Sequence, residues 1–286
     1  MTNTVSLFEM GPRDGLQNEA GFVATADKIK LVDMLSETGL RKIEVTSFVS
    51  AKWVPQMADA AQVLAGIHRN PDVTYAALTP NLRGYDAAIA AGTGEVAVFA
   101  SASEGFSQAN INCSIDQSLA RFAPVIATAK THGIRVRGYV SCIVDCPYDG
   151  PTPPQDVVRV VAALGQMGCY EVSLGDTIGQ GTPDRVAAML DVVIPLGVPL
   201  AGHFHDTNGT ALANIDVALG RGLRVFDAAV GGLGGCPYAP GAKGNVATEA
   251  VLDLMDQRGF DTGIDVQKLS AAAQFARSLR TQSSDI

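Results

Sequence analysis

Long apolar runs are absent from this 286-residue chain: although 47% of its residues are hydrophobic, no stretch approaches the ~20 residues of a membrane span. Basic character is also missing. Lysine and arginine number 21 against 29 aspartates and glutamates, a formal net charge of −8. That balance argues against a nucleic-acid or anionic-membrane surface, yet a few local cations can still serve an anionic small ligand. The start, Met1-Thr2-Asn3-Thr4, carries no basic or arginine-rich targeting pattern, and Ser283-Ser284-Asp285-Ile286 is no retention or peroxisomal signal, so a cytoplasmic location is the expectation. Cysteines are few and odd in number, five in all, without the spacing of a disulfide scaffold. Cys142 and Cys146 have no second pair with which to form a zinc knuckle. With Cys113 and Cys169 they read as buried, reduced side chains. No Pro/Gly/Ser-rich linker or shift in composition divides the chain, and the first turn, Gly11-Pro12-Arg13-Asp14-Gly15, is not a dinucleotide fingerprint.

What is present is a regular alternation. Short β-branched or aliphatic runs at Val5–Met10, Lys42–Thr46, Val73–Leu78, Glu95–Ala100, Arg135–Ser141, Tyr170–Leu174, Pro199–His205 and Val225–Val230 predict eight strands. Between them lie segments with apolar residues at helical spacing, such as Ile29, Val32 and Leu35 before a Gly39 stop, Gln155 to Met167, and Asp184 to Leu196 after a Thr182-Pro183 N-cap. Eight strands alternating with helices predict an α/β fold, a single-domain (β/α)8 TIM barrel over residues 1–286, with an open doubly wound sheet as the alternative. A last amphipathic segment, about 260–284, is expected to form a helical extension that closes the barrel floor or joins an oligomer interface.

In such a barrel the reactive face lies at the C-terminal ends of the strands. Those ends collect polar groups that packing alone would not choose: Arg13 and Asp14, Glu44, Asp176, and His203 with His205. The two histidines are two residues apart on a strand, so both imidazoles project from one face. They are also two of only four in the chain; His68 and His132 fall in connections at the other end and read as exposed bystanders. Asp14 suits either an N-cap or a metal ligand, and Asn245 either a helix cap or an amide oxygen ligand. Two nitrogens and two oxygens with open positions fit an octahedral Mg²⁺ or Mn²⁺ better than a structural zinc. Cys236 sits in a loop, about 231–244, rich enough in glycine to swing over a ligand. It reads as a catalytic thiol or as an incidental one. Trp53 reads as a packing residue, with contact to a bound ligand as the alternative.

Several stretches resemble the hydroxymethylglutaryl-CoA lyase family of metal-dependent barrels. These are Glu9 to Glu19, Thr46 to Ser50 continuing through Lys52 to Met57, Leu78 to Leu82, Ser173 to Gly179, and above all Gly231 to Glu249 with its central Gly-Leu-Gly-Gly-Cys-Pro-Tyr-Ala. The Arg-Asp and His-x-His elements are shared with related Claisen-type enzymes, whereas the cysteine loop is narrower and points to the lyases. The resemblance spans essentially the whole chain. It implies that Asp14, His203, His205 and Asn245 hold a divalent cation and that Arg13 binds the thioester carbonyl and stabilises an enolate. Cys236 becomes the acid/base on a mobile loop, Glu44 and Asp176 mouth carboxylates, and Ser173 and Gln17 supports for substrate or ligands. The hydroxyl proton goes to a histidine, His203 among them, or to Asp176, unless Asp176 only orients a histidine.

The implied reaction is cleavage of 3-hydroxy-3-methylglutaryl-CoA to acetyl-CoA and acetoacetate, with leucine breakdown as the usual setting. The implied cofactor is the divalent cation, with nothing organic beyond the CoA of the substrate. The expected partner is a small acyl-CoA, with no nucleic acid or membrane, in a homo-oligomer. Alternatives are a lyase on a related thioester such as citramalyl-CoA, an acyl-CoA Claisen synthase, or a non-catalytic metal- or CoA-binding protein. The synthase is disfavoured because the chain ends soon after its eighth strand and helix. Ala20, Asn208 and Lys243 depart from the family pattern, where lysine, tyrosine and a small residue are usual.

Overall fold

The computed structural model describes residues 3–19, 21–235 and 243–282. Eight parallel strands close into a barrel: β1 (Ser6–Glu9), β2 (Lys42–Ser47), β3 (Thr74–Leu78), β4 (Glu95–Ser101), β5 (Arg135–Ser141), β6 (Glu171–Asp176), β7 (Leu200–Phe204) and β8 (Val225–Ala228). Each strand pairs with its neighbours in sequence, and β1 pairs with β8 to complete the ring. All eight predicted strands are present, so the barrel, and not the open sheet, is the fold. The second, fourth and sixth strands run on to Ser47, Ser101 and Asp176. The first stops early at Glu9, the seventh at Phe204 and the eighth at Ala228, because the backbone there leaves the ladder to make the turns that carry polar residues.

Helices cover the outside: α1 (Thr25–Ser36), α2 (Ala60–Gly66), α3 (Leu82–Ala90), α4 (Glu104–Ile111), α5 (Ile115–Thr131), α6 (Pro154–Met167), α7 (Pro183–Val193), α8 (Ala211–Gly220), α9 (Thr248–Gln257) and α10 (Val266–Gln282). Their apolar stripes meet the outward side chains of the strands in one continuous core that includes Leu35, Val96, Val140, Leu164, Val172 and Phe226. A β-strand turns alternate residues to opposite faces. The inward set of β5 is therefore Arg137 and Tyr139, while Val136 and Val140 face the helices. Ser114 and Gln117 form a reciprocal capping box that starts α5. Thr182 does occupy the N-cap of α7 ahead of Pro183, but its side chain makes no capping bond. Past the end of α1, Gly39 has φ +93°, and a Cβ there would lie 2.2 Å from the Gly263 carbonyl oxygen. Glycine is required at that crossing.

Two features were not legible in the sequence: α4, and a small antiparallel hairpin of Asp145–Cys146 with Gly150–Pro151 after β5. The expected C-terminal helical extension is present as α10. α10 runs along the outer wall, not across the floor. The Asp265 N–H donates to the Thr38 carbonyl at one end of α1. Towards the other end of α10, Arg277 pairs with Glu249 and Arg280 with Glu19. Its buried face is Leu269, Ala272, Ala273, Ala276 and Leu279. Among the described residues no helix is long and apolar enough to cross a membrane.

Candidate metal centre and active site

The turn after β1 is an unusually wide helical turn, Gly11–Gly15, with Pro12 at its start. It is held on both sides. A Cβ on Gly11 would lie 2.7 Å from Glu9 Oε1, and one on Gly15 would lie 2.6 Å from the Leu233 Cβ. Fixed in this way, the turn sends Asp14 towards the mouth of the barrel. There its Oδ2 lies 3.9 Å from His203 Nε2 and 4.0 Å from His205 Nε2. The two imidazole nitrogens are 3.2 Å apart. Donor atoms of these three residues all fall within 4.8 Å of one another.

Asn245 completes the cluster from the far end of the chain. It bridges to His205, and its amide group lies 2.8 Å from Asp14 Oδ2. Rotating the amide exchanges its nitrogen and oxygen at that point. Asn245 is not a cap for α9, whose N-cap is Ala247. Gly234, at φ +92°, allows the close approach, because a Cβ there would come within 3.0 Å of the Asn245 Nδ2 and 3.1 Å of the Gly15 Cα.

The electrostatics suit a cation. Burial works to raise the Asp14 carboxyl, but Arg13 and the two histidines outweigh it and bring the pKa down to about 2. Burial, then the neighbouring His203, pushes His205 down to about 4, so its imidazole is neutral near pH 7. Two imidazoles that meet through their Nε2 atoms beside a carboxylate and an amide form a set of lone pairs aimed at one point. The chemistry of this donor set fits a divalent ion.

Arg13 is buried next to the cluster. Its guanidinium pairs with Glu44 through Nε and with Asp14 through Nη1, and lies 5.5 Å from the Tyr139 ring. Burial opposes its charge; Glu44 and Asp14 more than restore it and hold it protonated. Glu44 is fully buried and also accepts from Tyr139 Oη at 3.1 Å. Its position beneath the arginine makes it a support for Arg13, since it does not line the cavity above. That cavity has a volume of about 770 Å³ and is bounded near the cluster by Arg13, Asp14, Gln17, His203 and His205. Further out its walls include Leu78, Phe99, Phe106 and Ile111.

Three expectations need correction. Asp176 is fully buried, and its carboxylate accepts from the backbone N–H groups of Gln180 at 3.1 Å and Gly181 at 2.8 Å. Burial raises its pKa to about 6. On β6 it alternates with the inward Ser173 and Gly175, so it braces the turn that follows and orients no histidine. Ser173 lies below the cavity floor and donates to Asp227 Oδ2 at 2.7 Å; it is not placed to touch a ligand. Trp53 is 79% exposed at the cavity rim and does not pack inside.

The remaining candidates are placed as follows. Gln17 lines the cavity, and its Oε1 is buried without a hydrogen bond. Cys236 and Ala20 lie outside the described residues. The stems that flank 236–242 are joined by a bridge between Gly235 and Lys243. Lys243 pairs with Asp206 at 3.3 Å, and Asn208 is exposed. His68 is exposed beside Asp33, and His132 bonds Tyr85. Cys113, Cys142, Cys146 and Cys169 are buried free thiols.

Asp227, Arg137 and Tyr139 underlie the site inside the barrel and were not among the residues expected from the sequence. Arg137, with no exposure, holds Asp227 through two bonds of 2.9 and 2.8 Å and reaches Glu171 at 2.8 Å. Asp227 in turn faces His203 Nδ1 at 3.2 Å. Signals existed: Arg135, Arg137 and Tyr139 alternate with valine and glycine, and Asp227 is a lone carboxylate in an apolar strand.

Comparison with known proteins agrees with this geometry. A 3-hydroxy-3-isohexenylglutaryl-CoA/hydroxymethylglutaryl-CoA lyase of Pseudomonas aeruginosa is 59% identical over 94% of this chain and 91% of its own length. The crystal structure of an HMG-CoA lyase from Brucella melitensis superposes with a TM-score of 0.96 at 59% identity, covering 97% of this chain and 99% of the other. An HMG-CoA lyase from Acinetobacter baumannii, solved with coenzyme A and 3-methylmalate, gives a TM-score of 0.92 at 36% identity, covering 98% and 92%. The HMGL-like family profile matches residues 4–276. With relatives this similar over nearly its whole length, the chain belongs to the HMGL-like family.

Proposed function

We propose that this chain is a divalent-cation-dependent carbon–carbon lyase that cleaves 3-hydroxy-3-methylglutaryl-CoA to acetyl-CoA and acetoacetate. The observation that carries this reading is the convergence of Asp14, His203 and His205 beside a buried, charged Arg13 at the floor of one cavity. Asp14, His203, His205 and the amide oxygen of Asn245 are the residues that would hold Mg²⁺ or Mn²⁺. When bound, such an ion acidifies a tertiary hydroxyl and anchors the distal carboxylate.

The rest of the chemistry belongs to the chain. The hydroxyl proton passes to water in the open cavity, since Asp176 is turned away and His203, with one ring nitrogen at the ion site and the other facing Asp227, has no lone pair to spare. The C–O bond becomes the ketone of acetoacetate as the neighbouring C–C bond breaks, and its electron pair passes to the thioester as an enolate. Arg13, pinned by Glu44 and Asp14, offers fixed N–H groups to that developing oxyanion, where preorganised charge has its greatest effect. Cys236, directly after Gly235 in the chain, supplies the proton that converts the enolate to acetyl-CoA. Gln17, with an unmatched carbonyl at the cavity wall, is available to a substrate donor.

The test is turnover of 3-hydroxy-3-methylglutaryl-CoA by chelator-treated protein before and after Mg²⁺ or Mn²⁺ is restored. Equimolar acetyl-CoA and acetoacetate, formed only with the ion, is the expected result; no cleavage under any condition removes the proposal. A second reading has its own support. The Pseudomonas relative is named for a 3-isohexenyl substrate as well, and the outer cavity wall of Leu78, Phe99, Phe106 and Ile111 is apolar. A higher kcat/KM on a thioester with a long 3-alkenyl group would favour that substrate.

A further inference from the structure

We propose that Asp227, locked in place by Arg137 and Ser173, is a positioning residue that fixes His203 in the Nδ1–H tautomer and so keeps the His203 Nε2 lone pair aimed at Asp14 and His205. The inference rests on reading Asp14, His203 and His205 as cation ligands, and it concerns a residue outside that set.

The geometry leaves Asp227 no freedom. Its Oδ1 accepts from Arg137 Nη2 at 2.8 Å, and its Oδ2 accepts from Arg137 Nη1 at 2.9 Å, Ser173 Oγ at 2.7 Å and His203 Nδ1 at 3.2 Å. Neither carboxylate oxygen can rotate away without breaking a guanidinium bond in a fully buried pair. Arg137 is anchored in turn by Glu171 at 2.8 Å and reaches the Tyr139 hydroxyl at 3.0 Å. Strand register supplies the alignment, since Asp227 of β8 is the direct neighbour of His203 of β7.

A carboxylate facing a guanidinium is ionised and can only accept. The ring nitrogen 3.2 Å away must then carry the proton, which leaves Nε2 as the acceptor at the cavity side. Without this constraint the tautomer with Nε2–H would also be populated, and its hydrogen would point at His205 Nε2, 3.2 Å away, where the cation must sit. Carboxylates that orient ligating histidines commonly change metal affinity by ~10–100-fold when lost.

Two measurements on purified protein test this. The first is long-range ¹H–¹⁵N correlation NMR of histidine rings in the metal-free protein, with His203 assigned by the signals lost in His203→Gln. The expected pattern is Nδ1–H with an unprotonated Nε2; the opposite tautomer in the wild type overturns the proposal without recourse to any variant of Asp227. The second is Mn²⁺ titration by calorimetry. Asp227→Asn is expected to mix the tautomers and raise the Kd by ~10–100-fold. Wild-type affinity together with an unchanged Nδ1–H signal in a folded Asp227→Asn protein overturns it. If that variant does not fold, Asp227→Asn combined with Arg137→Gln and Glu171→Gln, which removes all three charges of the buried cluster together, is read in the same way. A wild type that binds no Mn²⁺ would remove the cation reading, while the tautomer would still be decided by the ring signals.

Discussion

At the residue scale, Arg13 shows why side-chain shape matters as much as charge. Its planar fork meets Glu44 on one edge and Asp14 on another. A lysine would keep the charge but could not hold both edges. Arg13→Lys should therefore lower kcat by ~10²–10³-fold, the loss usual for the oxyanion donor proposed above, and lower the thermal midpoint too, since a buried carboxylate loses its partner; steady-state kinetics and a melting curve check both halves. Cys236→Ser should lower turnover by ~10²-fold or more and leave Mn²⁺ affinity unchanged, because it removes the proposed proton donor and none of the proposed ligands. Weakened Mn²⁺ binding in that variant would place the thiol among the ligands. Strand parity explains which residues could be found in the sequence. His203 and His205 were visible because their spacing puts them on one face. Asp176 was misplaced because a strand end was read without asking which face its last residue takes. Asp227 was missed because a single acidic residue gives no pattern until its neighbour in the adjoining strand is known.

At the scale of elements, the joints between strands and turns carry the polar residues, and one of them holds a buried acid. Glu9 accepts from the Gly11 and Val230 N–H groups at 2.7 and 2.8 Å and from the Thr248 hydroxyl at 2.7 Å, tying the end of β1 to the segment after β8 and to the first residue of α9. Burial raises its pKa from 4.5 to about 7 in spite of those bonds. The folded state therefore binds a proton that the unfolded chain has released, and stability falls as pH rises through that window. The loss is on the order of 3 kcal/mol once pH exceeds the folded value. Glu9→Gln keeps a carbonyl acceptor for both N–H groups and has no charge to bury. Urea midpoints at pH 5 and pH 8 should fall for the wild type relative to the variant at the higher pH, and an equal change in both would show that Glu9 is not the titrating group. Element type was easier to read than element joints. Hydrophobic period marked the strands, whereas the wide turn at Gly11–Gly15 and the hairpin at Asp145–Pro151 depend on tertiary contacts that no local pattern encodes.

At the scale of the whole molecule, the proposed ligands are drawn from both ends of the sequence, Asp14 from the turn after β1 and Asn245 from the segment after β8. A cation bound among them should stabilise the entire barrel. Mn²⁺ at about 100 times its Kd contributes about 2.7 kcal/mol, a rise of several degrees in Tm for a chain of this size. Asp14→Ala should abolish the shift in a calorimetric scan and abolish turnover; a full shift in the variant would exclude Asp14 from the ligand set. The barrel itself was legible because eight separate runs agree with one another, so an error at any one boundary leaves the topology unchanged.

Pairing of the first strand with the last has a further consequence, for synthesis. A nascent chain on the ribosome can form most of its neighbouring strand pairs in order as it emerges, yet the pair that seals the ring must wait for the final strand. Until then the opening strand waits with one edge bare, and the aspartate and the asparagine stay apart. The proposed ion site is thus assembled in one late event, and a translation intermediate lacks it however much of the barrel it has already built.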